Sequence, residues 1–236
     1  LINLVPRFYD ATDGEVLVDG MNVREYDLKT LRDKIGYVPQ RSFLFKGTVE
    51  SNVSYGDRPD EPENVPMIDV SRMSGRKAER EFLKADEARE LTAQEANRVR
   101  EASDVAQATE FVSKMPKGFQ SPIAQGGTNV SGGQKQRLSI ARAVYRDPEI
   151  LIFDDSFSAL DFKTDREVRD ALKETAKDAT KLIVAQRVGT IMDADCILVL
   201  EDGKVVGQGT HRELLETCEV YQEIAKSQLS EEELSA

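Results

Sequence analysis

Short apolar runs mark the two ends of the chain, and helical spacing fills the stretch between them. In residues 1–56, Glu15-Val16-Leu17-Val18-Asp19 runs into Gly20, and Ile35-Gly36-Tyr37-Val38 runs into Pro39. Both read as strands closed by turn residues. Residues 57–147 are largely helical in pattern. From 148 onward strand and helix patterns alternate: Ile150-Leu151-Ile152-Phe153, a helix over about 163–177, then Leu182-Ile183-Val184. Runs over 197–200 and 204–207 follow, with Asp202-Gly203 as a tight turn between them. Nearly all-apolar strands alternating with helices predict parallel strands buried on both faces. The expected fold is an α/β core with a parallel-strand sheet, interrupted by an α-helical subdomain.

One segment departs from this rhythm. Residues 57–101 open with Pro59, Pro62 and Pro66 and become dense in charge, as in Arg76-Lys77-Ala78-Glu79-Arg80-Glu81. Opposite charges three residues apart, Glu81 with Lys84 and Glu95 with Arg98, support solvated helices. The segment reads as an exposed insertion, either without chemistry or as a docking surface for a partner.

Composition narrows the picture. The 236 residues are 39% hydrophobic, enough to bury a core, so wholesale disorder is excluded. No stretch approaches the ~20 apolar residues of a bilayer span. Pro6, Arg7 and Asp10 interrupt any signal-peptide-like run at the start. The formal net charge of -11 argues against nucleic-acid binding, yet leaves room for a compact anion held by local backbone N–H groups. Cys196 and Cys218 match no metal or redox spacing. Cys196, in an apolar run, reads as a buried small hydrophobe. Unpatterned cysteines suggest a reducing compartment, hence the cytoplasmic side of a membrane.

Two stretches carry candidate chemistry. In Asn129-Val130-Ser131-Gly132-Gly133-Gln134-Lys135-Gln136-Arg137, Ser131 is a good N-cap and the glycines admit close approach of a ligand. The helix that follows, with Leu138, Ile140, Ala141, Ala143 and Val144 as its apolar positions, points its first N–H groups at an anion. Asp147-Pro148 ends that helix, and the next apolar strand ends in Asp154-Asp155. Paired carboxylates at the carboxyl end of a buried strand lie where α/β folds bind ligands. They repel unless a cation or protons compensate, which suits magnesium beside phosphates; the alternative is a helix-capping Asp in a loop.

Together these residues closely resemble the nucleotide-binding domain of ATP-binding cassette (ABC) exporters. Residues 130–137 look like the signature motif, 150–154 like the Walker B strand, and Ser158-Ala159-Leu160-Asp161 like the D-loop. Gln40 matches the Q-loop glutamine, residues 43–53 resemble the segment after that loop, and residues 209–215 fit the C-terminal pattern. The resemblance implies a P-loop NTPase (RecA-like) core that binds ATP and Mg2+. It implies sandwich pairing with a second ABC nucleotide-binding domain and a transmembrane domain encoded upstream. Gln40 and Asp154 would position the metal. Ser131, Gly132, Gly133 and Gln134 would face the partner's ATP, and Asp161 would lie at the seam. Lys135 and Arg137 are read as solvated or structural.

The glycine-rich P-loop is absent from these residues, and Leu1-Ile2-Asn3-Leu4 looks like the first turn of the helix that follows it. The expectation is an incomplete domain over 1–236, cut after the Walker A motif, that binds ATP poorly alone and exposes a sheet edge. Its parts would be 1–56 with the Q-loop, 57–147 as the helical subdomain, and 148–236 with Walker B, D-loop and switch region.

Three departures from the family pattern stand out. Asp155 replaces the family's catalytic Glu, and its carboxylate falls roughly 1 Å or more short. Gln186 occupies the place of the switch histidine and carries no titratable proton. Pro122 and Gln125 stand where acidic residues are usual. The resulting expectation is the degenerate-site subunit of a heterodimeric multidrug-type exporter on the cytoplasmic face of the membrane. Competing readings are a soluble, non-transport ABC ATPase and a regulatory nucleotide-binding module. The only histidine, His211, is expected to be a local capping or surface residue.

Overall fold

The structure, a computed structural model, describes residues 1–56 and 91–230. Near the start, β1 (Leu17–Val18) and β2 (Met21–Asn22) form a small antiparallel hairpin. Asp19 and Gly20 both take positive φ, the geometry of the favoured two-residue hairpin turn. The early turn is why the expected five-residue strand shrinks to two residues. A short helix, Leu28–Asp33, is capped by Asp27 and leads into β3 (Ile35–Val38).

The central sheet is parallel. β3 lies beside β6 (Ile150–Asp154), which lies beside β7 (Thr180–Val184). The register sets Tyr37 opposite Ile152 and Asp154 opposite Val184. Gly36 is required here: a Cβ would sit 2.8–2.9 Å from Pro148, Ala143 and Leu151 atoms. Two other pairs are antiparallel: β4 (Gly47–Thr48) with β5 (Pro122–Ile123), and β8 (Ile197–Glu201) with β9 (Lys204–Gly209).

Burial on both faces holds for β6, where Leu151, Ile152 and Phe153 are fully enclosed. It fails elsewhere. Along β7, at the sheet edge, Thr180 and Val184 are exposed. On β8, Ile197 and Val199 turn inward onto Leu214 and Tyr221, while Leu198 and Leu200 face out. The same alternation corrects Cys196. It is exposed, one residue out of phase with Ile197, whereas Cys218 is buried. An apolar run suggested continuous burial, but this hairpin has only one covered face.

A helical layer lies over the sheet. The helix Gly132–Tyr145 packs on Ala93–Val105 and on Val49–Val53. Its buried Leu138, Ile140, Ala141 and Ala143 fall at helical spacing and join Val99, Val49, Leu151 and Phe153 in one core cluster. The amphipathic helix Phe162–Thr175 adds Val168 and Leu172. Arg142 pins residues 43–55 to this layer. Its guanidinium donates to the Asn52 and Phe43 carbonyls and lies over the Phe45 and Tyr55 rings. Burial pushes its pKa down to about 10.

The densest part of the charged segment, including Arg76 to Glu81 and the Glu81–Lys84 pair, lies outside the described residues. From Ala93 the chain forms a helix whose capping box joins Thr92 and Glu95. Val99 is buried and Arg98 donates to the Tyr145 carbonyl at 2.7 Å while lying over the Tyr145 ring. This end of the segment therefore belongs to the core layer rather than to a solvated insertion. Among the described residues, no helix is long and apolar enough to cross a membrane.

Candidate active site

The carboxyl end of β6 delivers Asp154 and Asp155 as expected, and the two lead separate lives. Successive strand residues project to opposite sides of a sheet. Asp154 shares a side with Ile152, and so with Tyr37 across the register. The Tyr37 hydroxyl lies 2.9 Å from Asp154 Oδ2 and 2.9 Å from Asn3 Oδ1. A phenol has one proton to give, and the charged carboxylate is the stronger acceptor. Turning the Asn3 amide end for end lets its nitrogen donate to the phenol oxygen instead. Burial, reinforced by the bond to Asp154, raises the Tyr37 pKa to about 12, so the phenol stays protonated at working pH.

Asp155 follows with φ +46, a left-handed conformation that Asp tolerates better than most residues. Its N–H donates to the Val184 carbonyl at 3.0 Å, which extends the β7 pairing by one step. The residue is 7% exposed. Its Oδ2 accepts two bonds, from Gln40 Nε2 at 3.0 Å and from Gln186 Nε2 at 2.7 Å. A small crevice beside it is lined by Ser158, Val184, Ala185, Gln186 and Arg187.

The structure thus brings Gln40, Asp155 and Gln186 together. It does not join Gln40 to Asp154 by a hydrogen bond; the Gln40 amide nitrogen goes to Asp155, on the other branch of the strand end. Tyr37 and Asn3 were missed in the sequence. Tyr37 offered a signal, being the one polar tip in the run Ile35-Gly36-Tyr37-Val38; nothing marked Asn3 as its partner.

The other predicted residues sit on helix starts. Ser131 caps Gly132–Tyr145 with Gln134 as the reciprocal half of a capping box. That box occupies the Gln134 side chain. A Cβ on Gly132 would meet nothing within 4 Å, and one on Gly133 would lie 3.5 Å from the Ala159 carbonyl. Asp161 caps Phe162–Thr175; bonds from the Thr164 N–H and hydroxyl hold its carboxyl below the usual range. Arg137 is structural, donating to the Gln107 carbonyl at 2.8 Å and lying over Phe111. Pro122 pairs with Thr48 in β5, and Gln125 accepts from the Lys46 N–H, so both brace the segment after Gln40. His211 is not a cap; Thr210 is, and the His211 ring meets the Tyr221 hydroxyl at 2.7 Å.

The donor set suits magnesium. Asp154 and the Gln40 carbonyl offer hard oxygen ligands. Among the described residues no cluster of three or more His, Cys, Asp or Glu could hold a metal. Mg2+ needs only one or two protein oxygens when phosphate and water supply the rest.

The sequence model of the ABC transporter family matches residues 1–158. The chain belongs to the ABC transporter family. An "uncharacterized ABC transporter ATP-binding protein" of Mycobacterium tuberculosis is 45% identical over 228 residues, which is 97% of this chain and 34% of that protein. The "ATP-dependent lipid A-core flippase" of Vibrio vulnificus is 37% identical over 231 residues, 98% of this chain and 34% of the flippase. Among solved structures, a bacterial Atm1-family ABC exporter with ATP bound matches at a TM-score of 0.78 and 30% identity, over 98% of this chain and 35% of the exporter chain. The chain spans about a third of the length of these relatives. Its fold is that of the ABC ATPase domain, and ABC domains of this kind bind ATP, usually with Mg2+.

Proposed function

We propose that this chain is the ATP-binding domain of a membrane exporter, that it closes on a second nucleotide-binding domain around ATP and Mg2+, and that its own site is impaired in hydrolysis. Asp154 and the Gln40 carbonyl would hold the metal, which would supply charge neutralisation at the phosphates. Ser131 to Gln134 would serve the partner's nucleotide, with Asp161 at the seam. The three-part division at 57 and 148 and the place on the cytoplasmic face of the membrane follow from the same reading. The relatives named as flippase and exporter favour export over a non-transport ATPase.

One observation carries the impairment: two amides share a single oxygen of Asp155. Hydrolysis needs a group that orients water and accepts or relays a proton. An amide does not titrate near neutral pH, and the shorter Asp side chain is drawn back onto Gln40 and Gln186. The test is the double change Asp155→Glu with Gln186→His in the full-length subunit, assembled with its partner. ATP turnover should rise. Unchanged turnover, with assembly and nucleotide binding intact, refutes the impaired site. The same amides suit a regulatory module without turnover; ATPase assays of the subunit with and without a partner separate the two.

A further inference from the structure

The last described helix, Glu219–Gln228, is anchored by buried Tyr221 and Ala225 in a cluster with Val188, Ile197, Val199 and Leu214. It ends beside the loop that carries Gln186. There Gln228 makes two bonds to that loop's backbone. Its Oε1 accepts from the Val188 N–H at 2.9 Å, and its Nε2 donates to the Gln186 carbonyl at 2.9 Å.

The Val188 N–H needs an outside partner. Val188 is the first residue of the short helix Val188–Ile191, and first-turn N–H groups have none within their own helix. The N-cap residue, Arg187, supplies no side-chain cap. Its guanidinium instead reaches the carbonyls of Leu160 and Ser158 and lies 4.8 Å from the centre of the Phe162 ring. Gln228 therefore caps this helix from a different element, and the amide's fixed donor and acceptor straddle Arg187.

We propose that Gln228 is a positioning residue for Gln186, making the C-terminal helix a control element on the Asp155 cluster. Fixing the Gln186 carbonyl and the Val188 N–H sets the backbone from which the Gln186 side chain reaches Asp155 at 2.7 Å. The inference rests on the reading of that cluster as part of the ATP site.

The test uses the full-length protein with Gln228→Ala and Gln228→Glu. Without nucleotide, amide exchange at residues 185–191 should rise about tenfold in the Ala variant, as for loss of one or two hydrogen bonds. The Glu variant keeps the acceptor and loses the donor, so it should fall between. Exchange over residues 211–221 should stay unchanged in both. Unaltered exchange at 185–191 overturns the proposal. Equal loosening of 211–221 does so too, because it shows helix collapse. In the assembled pair carrying Asp155→Glu and Gln186→His, adding Gln228→Ala should lower kcat several-fold with KM unchanged. Unchanged kcat despite faster exchange overturns the control role. If the pair shows no turnover before Gln228 is altered, the proposed function fails, and the exchange result still decides the positioning claim.

Discussion

The strand end at Asp154 and Asp155 and the helix starts at Ser131 and Asp161 are built on opposite plans. At the strand end, polar side chains from distant parts of the chain converge: Tyr37, itself bonded to Asn3, meets Asp154, and Gln40 and Gln186 meet Asp155, over a floor of fully buried Leu151, Ile152 and Phe153. At the helix starts, Ser131 and Asp161 bond to residues three positions on and otherwise face outward. The first plan is a cross-linked interior cluster whose geometry depends on tertiary packing. The second is local, complete within one turn of helix, and free to be offered to another molecule.

Substitutions should separate these plans. The largest effect is expected for Phe153→Ala, which empties the fully buried site just before Asp154. Such changes cost about 3–5 kcal/mol. Urea unfolding should show a large fall in midpoint at constant slope, and the Asp155 cluster should loosen with it. A loss below 1 kcal/mol would mean that β6 is not the floor described. Next comes Ser131→Ala, which removes a cap worth about 1 kcal/mol. Stability should drop modestly while partner-site ATP turnover in the assembled transporter falls far more. Parallel, small losses in both would make Ser131 a cap and nothing else.

The smallest effect concerns Asp161. Bonds from Thr164 lower its folded pKa, so its contribution is fully present above the unfolded value of about 3.9 and is lost as pH falls through the folded value. Asn also caps helices, so Asp161→Asn should leave neutral-pH stability nearly unchanged and flatten only this acid-side decline. Thermal unfolding between pH 2 and 6 reads the difference; identical pH profiles would refute it.

Local chemistry was legible in the sequence, and convergence was not. Ser131 declared itself as a cap because capping depends on residues three apart. β3, β6 and the Asp202-Gly203 turn followed from apolar runs and turn residues. Cys196 was misjudged because a run of apolar letters does not say how many faces of a strand are covered. The Gln40–Asp155 contact spans 115 positions and depends on which side of β6 each carboxylate takes. The Gln228 contacts were invisible for a related reason: an amide on a mostly polar helix carries no mark of the loop it will meet.

Asp154 and Asp155 are the same amino acid, and their place at the strand end divides their labour: Asp154 keeps the strand's alternation, and Asp155 leaves it at φ +46. One residue deleted within Ile150–Asp154 would leave composition almost untouched while setting Asp155 in the Asp154 position, and one inserted would set Asp154 in the Asp155 position. The strand can exchange apolar residues of similar volume with modest penalties, but its length is locked. A single-codon frame-preserving deletion there should be more damaging to the site than several simultaneous apolar exchanges.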